Sequence, residues 1–113
     1  MKTLRNLLLA AAMLACTSAH AVYENGNMVL RDIEGSGMNQ MYALGYIVGV
    51  ADALNNADTV CIPTTVTKGQ LNDVVHLSLR TNPSMRDLPA DLLVLAALGV
   101  HWECETKGKR KKS

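Results

Sequence analysis

Beyond residue 21 few side chains could do chemistry, and their spacing limits what each can do. The histidines there are His76 and His101, the groups that titrate nearest neutral pH. His76 follows Asp73 by three residues, a spacing that places both on one helix face. Such a pair is either half of an acid–base couple or an ordinary solvated contact, and the surface contact is the reading adopted. His101 precedes Trp102 at the end of an apolar stretch, where a protonated ring would complement a helix dipole. Cys61 and Cys104 stand far apart, with neither a Cys-x-x-Cys redox motif nor the clustered ligands a zinc ion needs. The sequence contains no serine elbow and no glycine-rich phosphate loop. Aromatic residues are 4% of the chain, too few for a base-stacking platform. These absences predict a protein with no catalytic residue, no metal and no cofactor, which works through its surface.

The elements that must build this surface begin after a targeting segment. Met1 to Arg5 form a positive head, Leu7 to Cys16 an uninterrupted apolar run, and Ala19-x-Ala21 a small-residue exit. That is the layout of a secretory signal peptide cleaved after Ala21, and the run is too short to span a bilayer. The alternative makes Cys16 an acylated residue, but Leu14 stands where a lipoprotein signal has a small one. Cleavage would leave 92 residues containing two cysteines, Cys61 and Cys104. An even count in a small exported chain reads as one disulfide, and closing that loop is worth about 4 kcal/mol.

Charge divides the remainder into a body and an appendage. Residues 22–106 carry four bases against ten acids, a balance of −6, whereas residues 107–113 carry five bases and no acid. The short basic tail, with nothing apolar to bury, reads as a solvated, disordered extension. An anionic body is suited to attracting a cationic protein partner. The predicted domains are therefore a signal peptide (1–21), one helical domain (22–106) and the tail (107–113).

Within the body the apolar spacing is helical. Asn25-Gly-Asn27 opens a short helix through Met28, Val29 and Ile33, which Gly35-Ser-Gly37 ends. Met38 to about Asn56 forms a second helix, so poor in polar residues over 41–51 that burial nearly all round is expected. Gly45, Gly49 and Ala53 recur every four residues as a flat strip that includes Asp52. Each helical glycine costs about 1 kcal/mol against alanine, so a close-packed helix is expected there, from within the chain or from a second copy. Asp52 would then need hydrogen-bond donors in that seam. Thr67 and Gln70 form a capping box ahead of the stripe Leu71, Val74, Val75 and Leu79. Pro89 fits the first turn of a last helix, carried by Leu92, Leu93, Leu95, Ala96, Leu98 and Val100 toward Trp102. The fold class is an all-α bundle of about four helices with one disulfide.

Several of these pieces occur together in a recognisable order. Ala43-Leu-Gly-Tyr-Ile-Val-Gly-Val-Ala-Asp-Ala53 precedes Cys61-Ile-Pro63, then Val66-Thr67-x-Gly69-Gln70-Leu71-x-Asp73-Val74-Val75. Pro83, Leu88-Pro89-Ala90 and Leu92 to Leu98 follow, and the pattern closes at Cys104. Over residues 28–104 this resembles the Rap/Tai immunity proteins of type VI secretion systems. The resemblance implies a periplasmic, all-helical, dimeric domain with one disulfide. It also implies that the protein binds and blocks a secreted peptidoglycan amidase without being an enzyme itself. Occlusion needs an accessible surface, and two polar connectors are the candidate contact regions. One holds Asn55, Asn56 and Asp58; the other holds Arg80, Asn82, Arg86 and Asp87. A periplasmic holdase or acid-stress chaperone, also short, helical and stapled, is the alternative.

Overall fold

The computed structural model describes residues 3 and 23–105. The segment expected to be a signal peptide (1–21), with Cys16, and the basic tail (107–113) lie outside the described residues, apart from the isolated Thr3. Four α-helices make up the body: α1 (Gly26–Ile33), α2 (Met38–Asn56), α3 (Lys68–Thr81) and α4 (Ala90–His101). A 3₁₀ turn, Pro83–Met85, lies in the connector between α3 and α4. The all-α expectation holds among the described residues, with each helix within a residue or two of its expected place.

Local chemistry sets most of the helix ends. Asn25 is extended and its Oδ1 accepts from the Met28 N–H at 3.0 Å, filling one of the unpaired donors at the start of α1. Gly37, at a φ of 57°, provides the left-handed residue that turns the chain into α2. At α3 the capping box is complete. The Gln70 N–H donates to Thr67 Oγ1 at 3.1 Å, and the Thr67 N–H donates to Gln70 Oε1 at 2.7 Å. Pro89 precedes α4 at the cap position, with φ −53° and ψ 134°, so the helix starts at Ala90 rather than at the proline. Proline fits there because the preceding backbone turn needs no N–H from it.

The core is one apolar cluster drawn from all four helices. Ile47 of α2, Leu98 and Val94 of α4, Val29 of α1, Val75 of α3 and Val60 of the α2–α3 connector are completely enclosed. Burying each such side chain contributes about 1.5–3 kcal/mol, which is how so small a body offsets its chain entropy. Pro63, two residues past Cys61, is exposed.

Two ties outside the helices close the structure. At one end residues 24–27 run against residues 86–90: Gly26 N–H donates to Leu88 O at 3.2 Å and Asn27 N–H to Arg86 O at 2.9 Å. The Ala90 N–H returns to Glu24 O at 3.0 Å. At the other end Cys61 and Cys104 form the expected disulfide, their Cα atoms 4.8 Å apart, and the Cys61 N–H donates to Trp102 O at 2.9 Å. The staple therefore holds the exit of α4 against the middle of the α2–α3 connector.

One sequence expectation is overturned. α2 is not buried nearly all round: Ala43, Ile47 and Ala51 enter the core, while Gly45, Gly49, Asp52 and Ala53 are exposed. A Cβ placed on Gly45 or Gly49 would meet no atom of the described residues within 4 Å, so no helix among the described residues crosses the strip. The reason is the number of elements. Three helices can cover one side of α2, and among the described residues nothing remains for the other. Asp52 is therefore in solvent and needs no donors from a seam. The close approach expected of a glycine occurs instead at Gly26. A Cβ there would lie 2.5 Å from Leu93 Cδ1, 2.8 Å from Arg86 O and 3.0 Å from Arg86 Cα.

Candidate functional site

Residues able to contact a partner fall on four surfaces: the two polar connectors, an apolar groove between α3 and α4, and the open face of α2. The connectors are not brought together. Residues 55–58 lie at the disulfide end and residues 80–87 at the start of α4, so the length of α4 separates them, about 18 Å for its twelve residues.

Much of the chemistry in those connectors supports the fold. Asn55 Oδ1 accepts from the Ile62 N–H at 2.9 Å, which organises the loop entering Cys61. Asp58 has a φ of 56°, the left-handed turn that reverses the chain, and its carbonyl lies 3.3 Å from Cys104 Sγ. A disulfide sulfur has no proton to donate, so this is a packing contact. Asn82 Nδ2 donates to Ser78 O at 2.8 Å and caps a free carbonyl near the end of α3. Arg80 Nη1 reaches Glu34 Oε2 at 3.3 Å, and Arg86 is half-buried with its carbonyl engaged by Asn27. Asn56 and Asp87 are exposed.

The histidine expected to sit beside Asp73 faces elsewhere. His76 Nε2 lies 3.2 Å from Glu34 Oε2, so Glu34, just past α1, gathers both His76 and Arg80 from α3. This is an interhelix tie at the surface, worth no more than about 1 kcal/mol. Sequence spacing could not locate it, because Glu34 is 42 residues from His76. His101 is exposed beside Trp102, with ring centroids 5.9 Å apart. Among the described residues no group of three His, Cys, Asp or Glu side chains could hold a metal ion.

The groove between α3 and α4 has a volume of about 370 Å³ and is lined chiefly by Val74, Leu77, Met85, Leu93 and Val100, with His101 at its edge. Leu77 and Val100 are 63% and 81% exposed, so their apolar surface faces water. The α2 face presents Met38, Met41 and Tyr42 beside Gly45, Gly49 and Asp52. Tyr42 Oη donates to Glu24 Oε1 at 3.0 Å; this bond and the carboxylate charge raise the phenol above its ordinary 10.0. Tyr46 is raised as well, first by burial and then by the charges of Asp91 and Glu24. Carboxylates thus border this face, a cluster that sequence reading missed because Glu24, Tyr42 and Asp91 are widely separated in the chain. Asp32, only 6% exposed, is also in this region, with Arg31 Nε 3.3 Å from its Oδ1.

The pattern of the Rap1a immunity proteins matches residues 13–104, more than four fifths of the chain. The chain belongs to the Rap1a immunity protein family. Membership makes it an immunity protein of type VI secretion, whose task is to bind a secreted effector protein. No curated protein matches the chain. The family match spans both cysteines and all four helices, so the disulfide-closed bundle and the matched region are one unit. No helix among the described residues is long and apolar enough to cross a membrane.

Proposed function

We propose that this Rap1a family member is exported, loses residues 1–21, and acts in the periplasm by binding a peptidoglycan amidase effector and occluding its cleft. It performs no turnover: the bundle acts as a plug, and a substrate peptide is excluded because its place is taken. The observation that carries this reading is the family match over a body that is closed by a disulfide. A disulfide staple suits an oxidising compartment, and a rigid, prefolded body loses little entropy on docking. The two connectors are secondary contact regions, chiefly through Asn56, Asp58 and Asp87, whose side chains are exposed. A homodimer is part of the same reading.

The test is a titration of a purified type VI peptidoglycan amidase with the chain from Val22 onward. Amidase activity falls linearly to zero at a fixed molar ratio if the reading is right. Undiminished hydrolysis of cell-wall fragments at a tenfold excess refutes it. Suppressed aggregation of several unrelated unfolded proteins at low pH, without amidase inhibition, would replace it with a holdase.

A further inference from the structure

The exposed face of α2 is apolar and smooth along a helix of nineteen residues, about 28 Å. Met38 is 84% exposed and Met41 69%, and the glycines beyond them leave the backbone bare. A helix that is hydrophobic all round is normally enclosed, and among the described residues this face lacks a cover. The charges around it decide what kind of cover fits. Asp52 is on the face itself. Glu24 and Asp91 border one side, through Tyr42 and Tyr46, and Glu24 Oε2 is buried without a hydrogen-bond partner. On the other side Asp73 shares with Met41 a hollow of about 270 Å³. Of the four bases among the described residues, Arg31 and Arg80 are paired with Asp32 and Glu34, and Arg86 is half-buried at residues 86–90. Lys68, at the start of α3, is exposed and is in no ion pair.

We propose that the α2 face is where the effector docks, through a segment with an apolar centre flanked by lysine or arginine side chains. This inference rests on the reading of the protein as an effector-binding immunity protein. A second copy of the chain is the poorer occupant. It would bring its own Asp52, Asp73, Glu24 and Asp91 against the same carboxylates, and like charges brought together cost several kcal/mol. A basic segment meets opposite charge at both margins, while Gly45 and Gly49 let its backbone come close. The α3–α4 groove has no carboxylate in its lining and so lacks this selectivity.

The experiment measures binding of the amidase used above to four forms of the mature chain at several salt concentrations. Gly49→Leu adds bulk where nothing lies within 4 Å, and Asp52→Lys reverses an exposed charge, so both variants keep the fold, as circular dichroism verifies. Val100→Glu, in the groove, is the control. Gly49→Leu is expected to speed dissociation about tenfold or more, and Asp52→Lys to slow association about three- to tenfold and flatten its salt dependence. Val100→Glu should bind within about threefold of wild type, since it lies off the docking face. Two variants that bind like wild type overturn the inference while leaving the immunity reading intact. So does sedimentation showing that Gly49→Leu splits a dimer without weakening the amidase complex, because the face then belongs to a second copy. Wild type that fails to bind the amidase refutes the reading itself, and with it the effector as occupant of this face.

Discussion

Three glycines on two helices should respond with opposite signs to the same substitution. Gly45→Ala and Gly49→Ala place a methyl group in open space, with no atom within 4 Å. Each removes backbone entropy from the unfolded chain and is expected to stabilise the protein by about 0.5–1 kcal/mol. Gly26→Ala must place its methyl 2.8 Å from Arg86 O and 3.0 Å from Arg86 Cα, far inside ordinary contact. Leu93 can rotate away, but the Arg86 backbone is held by the Asn27 N–H and its neighbour Leu88 by the Gly26 N–H. Relief therefore means loosening the tie between α1 and the α4 entry, and overpacking of this kind costs about 1–3 kcal/mol. Gly26 is the first residue of α1, so little helix propensity is recovered in return. The net expectation is a loss of about 2 kcal/mol, or a fall in Tm of roughly 8–16 °C at this size. Urea unfolding followed by circular dichroism, at several protein concentrations, measures all three. A neutral Gly26→Ala would refute the close approach at that tie. Concentration-dependent destabilisation by Gly49→Ala would show that a second copy covers the strip.

Other consequences can be tested on the same material. Reducing Cys61–Cys104, which closes a loop with a sequence separation of 43, should remove about 4 kcal/mol and lower Tm by well over ten degrees; an unchanged melt in reductant would deny the staple its role. Thr67→Ala removes the hydroxyl that accepts from the Gln70 N–H and should cost about 1 kcal/mol, measured by urea midpoint, with Gln70→Ala, which removes only the acceptor of the residue 67 N–H, costing less. In a spectrophotometric titration Tyr42 and Tyr46 should ionise above 10.0. Glu24→Gln should bring Tyr42 down markedly and Tyr46 only slightly, since burial is the main cause for Tyr46. Because the folded state holds these phenolic protons more tightly, their stabilising contribution is complete below pH 10.0. It is lost as pH rises through the folded values.

Sequence by itself determined the all-helical class, the helix ends, the capping box, the disulfide and the family pattern. These are local or pairwise properties: Asn25, Thr67 and Gln70 act within one turn, and the two cysteines beyond residue 21 leave one intramolecular pairing. Hydrophobicity alone misread α2, because it measures how apolar a helix is and not how many neighbours exist to cover it. Tertiary structure decided which side of α2 is open and which glycine is crowded. It also decided that Glu34 rather than Asp73 meets His76, and that Glu24 and Asp91 border the same face. Each of these depends on how helices distant in the chain are positioned against one another. That positioning is set by the shared core around Ile47, Val75 and Leu98, which no single stretch of sequence contains.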